Sequence, residues 1–196
     1  MSELLTGKRI LITQADQFMG PMLCEVLRAK GATVIADDSD LSMAGVAEKV
    51  VADSGRIDVL LANLSIPAPS TPAAQVSEEE WQAVFAALVS PLPRLCAAVL
   101  PQMVERRAGK ILLMGSASAL RGMKRASTYS AARGAQLAYI QAVGVEMAEH
   151  NIQINAIAQN FVENPTYFPP EVQANPRFQE RLKREVPLGR LVGAQE

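Results

Sequence analysis

A serine, a tyrosine and an arginine stand at a spacing that could support proton abstraction from a hydroxyl group. Ser116 follows an apolar run, residues 110–114, that predicts a buried parallel strand, and Tyr129 comes thirteen residues after it. Arg133 follows Tyr129 by four residues, so the two side chains share one face of a predicted helix. A guanidinium beside a phenol favours the phenolate, and the serine hydroxyl can hold a substrate oxygen. The spacing thus indicates a general base, its tuning charge and an orienting group, although an ordinary strand–loop–helix with surface Ser and Tyr is an alternative.

Strand-like and helix-like segments alternate along nearly the whole chain, which predicts the scaffold that positions these residues. Strands separated by helices of this length indicate an α/β fold, with a doubly wound, parallel, Rossmann-like sheet in three layers. The predicted strands are residues 9–13, 32–36, 57–62, 110–114 and 151–157. The predicted helices are residues 20–30, 41–53, 77–107 with an interruption near Pro91 and Pro93, and 128–149. Ser77 followed by three glutamates is typical of a helix N-cap with an acidic first turn.

The bulk composition is that of one globular domain spanning residues 1–196. Of 196 residues, 49% are hydrophobic and the net charge is −1, without the basic stripe of a nucleic-acid-binding protein. Cys24 and Cys96 lack metal-ligand spacing and lie in apolar helical patterns, so we expect reduced core residues and no metal site. We find no signal peptide and no apolar run of membrane-spanning length, so we expect no membrane partner and a cytoplasmic location.

The Ser–Tyr–cation spacing resembles that of the short-chain dehydrogenase/reductase family, whose members carry Lys where this chain carries Arg133. In that family the Lys also holds the ribose of a nicotinamide cofactor. The family's first turn reads Thr-Gly-x-x-x-Gly-x-Gly, whereas residues 13–20 here read TQADQFMG. Gln14 and Phe18 replace two glycines and only Gly20 is kept, so side chains occupy the space that phosphate or nicotinamide would need. Asp16 adds a negative charge nearby, and we therefore predict no nicotinamide cofactor.

Two further positions depart from the same family pattern, and a third matches it. Leu88 stands where the family often has an Asn of a proton relay, and residues 158–162 replace a Pro-Gly that opens over the nicotinamide. Asp37 ends the second predicted strand, where a ribose-binding acid is expected. Without a phosphate cradle we interpret Asp37 as a solvated loop carboxylate or helix cap. These departures predict a pocket rebuilt for something smaller than a nicotinamide ring.

The Ser–Tyr–Arg spacing and the altered first turn together resemble the halohydrin dehalogenases, which are cofactor-independent relatives of the short-chain dehydrogenases. The resemblance covers residues 9–191, and the segments TQADQFMG, IADD and VPLGRL are most similar to the B type. It implies that Ser116 binds the substrate oxygen, Tyr129 takes the hydroxyl proton and Arg133 lowers the pKa of Tyr129.

The same resemblance implies an anion pocket in place of the nicotinamide site. The positions that match halide-lining residues are Phe18, Gln159, Asn160 and Phe161, and those that match the substrate side are Tyr167 and Phe168. Packing of aromatic side chains in the core or in a loop is the alternative explanation for these positions.

The activity implied is reversible and needs no cofactor. A vicinal haloalcohol would close to an epoxide with loss of halide and a proton, and small anions such as azide or cyanide would open epoxides. Family members pair their long helices into oligomers, so the resemblance also implies a homotetramer or homodimer.

Two other functions stay open. One is an NAD(P)-dependent reductase with a divergent first turn, supported by Gly20 and Asp37. The other is an inactive relative that acts as an assembly subunit, because the resembled family continues with another helix and a last strand where this sequence ends at Glu196. We accordingly expect one open sheet edge.

Overall fold

The computed structural model describes residues 4–194 and residue 196. Within them the strands are β1 (Arg9–Thr13), β2 (Thr33–Asp37), β3 (Val59–Ala62), β4 (Gly109–Met114) and β5 (Ile152–Ile157). The helices are α1 (Gly20–Ala29), α2 (Val46–Ser54), α3 (Glu78–Leu88), α4 (Pro91–Arg106), α5 (Ser127–Met147), α6 (Pro170–Gln173) and α7 (Pro176–Glu185).

The strands form one parallel sheet in the order β2-β1-β3-β4-β5. From β1 the chain first moves to β2 on one side and then continues with β3 on the other side. Ligands of doubly wound sheets bind outside the carboxyl ends of the strands at this point of reversal. The predicted Rossmann-like α/β fold is confirmed, and β5 occupies one edge of the described sheet, beside β4.

Helices cover both faces of the sheet. Neighbouring side chains of a strand point to opposite faces, so an apolar strand needs a covering layer on each. Leu11 of β1 packs in the larger core with Leu95 and Cys96 of α4. Ile10 and Ile12 pack on the other face with Cys24 of α1. Both cysteines are free and buried, as expected, and burial raises the pKa of the Cys96 thiol to about 11.

The predicted helix boundaries hold at α3 and α4 and fail at α2. Ser77 caps α3 by accepting a hydrogen bond from the Glu80 N–H. The helix is interrupted between Leu88 and Pro91, as predicted. The helix predicted from residue 41 begins only at Val46, since Gly45 has a left-handed φ of 82° that an α-helix cannot accommodate.

Two helices after β5 were not predicted. Asn175 caps α7 through its side-chain oxygen, and Pro176 occupies the first helical position. Asn followed by Pro is a recognisable helix start, so the signal was present in the sequence.

The expectation that no apolar segment reaches membrane-spanning length was wrong. Residues Glu78–Arg106 form a segment of 29 residues that is long and apolar enough by composition, with 39% of its apolar window buried. Leu92, Leu95 and Val99 in it lie in the core against the sheet. Burial in the core accounts for their apolar character.

Candidate active site

A cavity of about 180 Å³ lies outside the carboxyl ends of β1, β4 and β5. All but one of the residues predicted for a site contribute to its wall, and Arg133 lies behind the wall. The lining residues are Phe18, Ala68, Gly115, Ser116, Met123, Tyr129, Gln159, Asn160, Phe161, Asn164, Tyr167, Phe168 and Arg181. The fold therefore brings together segments that are distant in sequence.

Ser116 follows β4 in an extended conformation and begins a short 3-10 turn. Its Oγ accepts hydrogen bonds from the Ser118 N–H at 3.2 Å and from the Ser118 hydroxyl at 3.0 Å. A serine hydroxyl has one proton and two acceptor sites. The proton of Ser116 is thus left to donate toward the cavity.

Tyr129 and Arg133 lie one turn apart on α5, and both are almost completely buried, at 4% and 1% exposed. The Arg133 guanidinium carbon lies 5.1 Å from the centre of the Tyr129 ring. Arg133 Nη1 donates to the Met114 carbonyl at 3.3 Å and to Gln136 Oε1 at 2.9 Å. These bonds fix the cation beside the end of β4, close to Ser116.

Tyr167 connects these two side chains through its hydroxyl. The Tyr129 hydroxyl and Arg133 Nη2 each lie 3.1 Å from the Tyr167 oxygen. Burial raises the pKa of Tyr167, and the nearby Arg133 opposes that rise. Tyr167 therefore stays protonated over the range in which most enzymes operate.

The first turn keeps a glycine-like backbone although it has lost two glycines. Gln14 has φ 44° and Phe18 has φ 52°, both in the left-handed region that L-residues rarely adopt. Gln14 Oε1 accepts from the Ser65 N–H at 2.6 Å, and the Phe18 N–H donates to Thr166 Oγ1 at 2.7 Å. Both bonds tie the turn to loops of the site.

Gly20 is the one conserved glycine of the turn pattern, and its role here is steric. A Cβ atom at this position would lie 2.5 Å from the carbonyl oxygens of Gln14 and Ala15. The start of α1 packs directly against the turn at this point.

The side chains in this turn do not fit a dinucleotide. The Phe18 ring lies edge-on to Tyr167, with ring centres 5.2 Å apart, and the Arg133 guanidinium carbon is 5.8 Å from the Phe18 ring. Phe18 is only 4% exposed, so its ring fills space between the turn and the site. A pyrophosphate needs close approach to the backbone of this turn, and a buried ring leaves no room for it.

Asp37, at the end of β2, is only partly solvated, because its Oδ2 is buried and has no hydrogen-bond partner among the described residues. Asp37 Oδ1 accepts from the Ser39 hydroxyl at 2.8 Å, as in a local turn. Asp38 Oδ1 accepts from the Asp16 N–H at 2.8 Å, and its proximity raises the pKa of Asp16.

Leu88, at the position of the relay Asn, is fully buried, and its carbonyl accepts from Gln136 Nε2 at 2.5 Å.

The loop after β5 closes the cavity on the opposite side from α5. The Gln159 carbonyl accepts from the Ala117 N–H at 2.7 Å, which fixes the loop against the segment of Ser116. Phe161 is 6% exposed and stacks on Phe168, with ring centres 6.0 Å apart. Gln159, Asn160, Phe161 and Phe168 thus all line the same cavity.

Arg181 and Asn164 line the cavity although sequence analysis did not select them. The Arg181 guanidinium carbon lies 5.4 Å from the Phe161 ring, and its Nε is 3.2 Å from Glu185. It comes from α7, a helix that was not predicted. Among the described residues, no group of three His, Cys, Asp or Glu side chains is placed to hold a metal ion.

The comparisons with known proteins identify the family. A family model described as enoyl-(acyl carrier protein) reductase matches residues 6–196. The chain belongs to the short-chain dehydrogenase/reductase family.

Curated relatives are named as reductases. The chain is 27% identical to 3-oxoacyl-(acyl-carrier-protein) reductase of Escherichia coli (strain K12), over 97% of this chain and 86% of that protein. It is 31% identical to 5-keto-D-gluconate 5-reductase of the same strain, over 86% of this chain and 74% of that protein. These names favour the reductase alternative over the dehalogenase.

Solved structures include dehalogenases. One described as a dehalogenation enzyme is 29% identical, with a TM-score of 0.90 over 97% of this chain and 87% of that chain. A halohydrin dehalogenase bound to ethyl (2S)-oxiran-2-ylacetate is 26% identical, with a TM-score of 0.86 over 96% and 86%. A levodione reductase, 23% identical with a TM-score of 0.88 over 97% of this chain and 87% of that chain, shares the fold.

Proposed function

We propose that this member of the short-chain dehydrogenase/reductase family is a cofactor-independent lyase acting on vicinal haloalcohols. It converts them to epoxides with release of halide and a proton, and in reverse it opens epoxides with small anions. The observation that carries the proposal is the first turn. Gln14 and Phe18 keep a glycine-like backbone there, and the buried Phe18 ring occupies space that a dinucleotide would need. Arg133 in place of the cofactor-binding Lys supports the same conclusion.

The reaction is an internal displacement. Tyr129 as phenolate takes the hydroxyl proton while Ser116 donates a hydrogen bond to the same oxygen. The oxygen then attacks the adjacent carbon from the side opposite the halogen, so a carbon–oxygen bond forms as the carbon–halogen bond breaks. The electron pair of that bond leaves with the halide, and no oxidant or reductant is required. Positioning the oxygen and fixing the base is the work of the protein.

The leaving halide is assigned to the side of the cavity formed by Phe18 and the loop of Gln159, Asn160 and Phe161. Aromatic ring edges carry partial positive charge and favour an anion there. Tyr167 and Phe168 shape the substrate side. The cavity of about 180 Å³ suits a small haloalcohol or epoxide with halide, azide or cyanide.

The proposal is tested by halide release from a simple bromoalcohol. Wild-type protein is expected to release bromide. The rate of bromide release by Tyr129→Phe should be at least about a thousandfold lower, because this variant has no proton acceptor. Ser116→Ala should remain folded and release bromide more slowly. Equal bromide release by wild type and Tyr129→Phe would contradict the assignment of the base.

An NADP-dependent or NAD-dependent carbonyl reductase is the second candidate, and the names of the curated relatives favour it. It is distinguished by titrating NADPH and NADH into purified protein and assaying reduction of a ketone. Tight binding of either nucleotide together with ketone reduction would establish this function instead. A folded protein without either activity would support the inactive assembly subunit.

We also propose a homotetramer or homodimer in the cytoplasm. Val145 of α5 is 82% exposed and Trp81 of α3 is 39% exposed, so both long helical segments present apolar surface. Burial of such side chains favours association. Sedimentation analysis of the purified chain tests the oligomeric state.

A further inference from the structure

Tyr167 lies between the proposed base and its tuning cation. Its oxygen is 3.1 Å from the Tyr129 oxygen and 3.1 Å from Arg133 Nη2. The guanidinium lies over the Tyr129 ring, 5.1 Å from its centre, and donates to the hydroxyl of Tyr167. The charge of Arg133 is therefore linked to the Tyr129 oxygen by the Tyr167 hydroxyl.

The donors and acceptors of this group assign a direction to each bond. Arginine can only donate, so the Tyr167 oxygen accepts from Arg133. With Tyr129 protonated, Tyr129 donates to Tyr167. Once Tyr129 has become a phenolate it can only accept, and the single proton of Tyr167 is the one available at 3.1 Å. A donor whose own oxygen accepts from a cation is a stronger donor.

The surroundings hold Tyr167 in this place. Its N–H donates to Asn164 Oδ1 at 2.9 Å, and Asn164 Nδ2 donates to the Val162 carbonyl at 2.8 Å. Asn164 is 5% exposed, and the Phe18 ring packs edge-on against the Tyr167 ring. These hydrogen bonds and the Phe18 ring thus fix the position of Tyr167 in the loop after β5.

Few charged groups face the tyrosine pair. Among the described residues, Arg133 of α5 contacts the Tyr167 hydroxyl and Arg181 of α7 lines the cavity, whereas the first turn contributes the uncharged Phe18. Burial raises the pKa of Tyr167, so this residue keeps the proton that it would donate.

We propose that Tyr167 is a positioning residue that transmits the charge of Arg133 to Tyr129 by donating a hydrogen bond to the Tyr129 phenolate. This inference rests on the proposed role of Tyr129 as the base. It adds a fourth member to the Ser–Tyr–Arg group, contributed by the loop after β5.

The test measures the pKa of Tyr129 directly. The chain has three tyrosines, so protein labelled with 13C at the tyrosine hydroxyl carbon gives three signals, and Tyr129→Phe identifies the Tyr129 signal. Tyr167→Phe keeps the ring and removes the hydroxyl. We expect the pKa of Tyr129 to rise by about 1–2 units, because a hydrogen bond to a charged group contributes that much. Bromide release below that pKa should fall by about 10- to 100-fold and recover at alkaline pH.

Tyr139→Phe is the matched control, since Tyr139 also lies on α5 but packs against the core near Cys96. It should leave the Tyr129 signal in place. An unchanged pKa of Tyr129 in Tyr167→Phe would overturn the inference, and the measurement needs no turnover. Absence of bromide release from wild type would instead contradict the proposed function.

A second measurement separates transmission through Tyr167 from direct action of the charge. In the wild-type background, Arg133→Lys should raise the pKa of Tyr129, because Lys lacks the planar guanidinium that donates several hydrogen bonds at once. In the Tyr167→Phe background the same substitution should have a smaller effect. Equal shifts in both backgrounds would show that Arg133 acts on Tyr129 without Tyr167.

Discussion

Phe18 and Gln14 hold unusual backbone conformations in the turn between β1 and α1. Each holds a backbone conformation that costs an L-residue about 1–3 kcal/mol, and such strain is usually kept where it serves a function. The bonds from Phe18 to Thr166 and from Ser65 to Gln14 offset part of this cost. In dinucleotide-binding folds the same backbone is left bare so that phosphate can approach it. Here the turn carries the buried ring of Phe18, which forms one wall of the cavity.

Phe18→Ala should weaken anion binding. We expect the inhibition constant for bromide to rise about tenfold, which corresponds to about 1.4 kcal/mol. Azide-dependent opening of an epoxide should slow to a similar extent, because one site holds the anion in both directions. The pH at which Tyr129 titrates should not move, since Asn164 still holds Tyr167. Unaltered bromide inhibition in this variant would mean that the anion binds elsewhere.

The sequence predicted the residues of the site better than their contacts. Spacing alone places Tyr129 and Arg133 on one face of a helix after the strand that ends near Ser116. The hydroxyl of Tyr167 reaches them from a loop with irregular backbone, whose course depends on long-range contacts such as that between Phe18 and Thr166. Arg181 was missed for a different reason: it belongs to α7, whose start at Asn175 and Pro176 was recognisable in the sequence but was overlooked.

The elements that carry the site are fixed by close backbone contacts. α1 starts against the first turn at Gly20, and α5 starts beside the loop of Thr71. Helix starts were predictable where a capping residue was present, as at Ser77. The start of α2 was not predictable, because the helical apolar pattern continues through Gly45 and does not indicate its left-handed φ.

Gly20→Ala should destabilise the protein although Ala favours helices. The added Cβ would lie 2.5 Å from two backbone oxygens, so the turn or α1 must move. We expect the free energy of unfolding in urea to fall by about 1–3 kcal/mol. Gly134→Ala in α5 is the control, because its Cβ would meet nothing within 4 Å. That variant should gain up to about 1 kcal/mol, and similar losses in both variants would contradict the steric account.

Glu80 makes the stability of the contact between the loop of Thr71 and the start of α5 depend on pH. Its carboxylate accepts from the hydroxyls of Thr71 at 2.5 Å and Thr128 at 2.7 Å, which joins a loop of the site to the start of α5. These bonds lower the pKa of Glu80 from its ordinary value of 4.5. A lowered pKa adds stability that is present above the ordinary value and is lost as pH falls through the lowered one.

Glu80→Gln should therefore lower the melting temperature at pH 7, and the difference from wild type should shrink toward about pH 3. Glu78→Gln removes a charge from the same helical turn without touching either threonine, so it should cost less at pH 7. If the difference in melting temperature between wild type and Glu80→Gln stays constant across this pH range, the hydrogen bonds from the two threonine hydroxyls do not depend on the charge of Glu80.

The whole molecule follows from the alternation of strands and helices that the sequence displays. The continuous burial of β1 and the apolar stripe on α4 are typical of a parallel sheet covered on both faces. The apolar segment Glu78–Arg106 shows how composition alone misleads, because a core helix of this fold can match a membrane span in length and hydropathy. The activity is decided by a few side chains on a fold shared with reductases.

The family fold accommodates both candidate chemistries, and they differ in whether the reaction needs a nicotinamide. The most direct test is bromide release from a vicinal bromoalcohol by protein freed of nucleotide, with and without added NADH or NADPH. We predict the same rate in all three samples, with an epoxide as product, because Tyr129, Ser116 and Arg133 supply all the chemistry. Bromide release that requires a nucleotide, or ketone reduction by NADPH without any bromide release, would contradict the account.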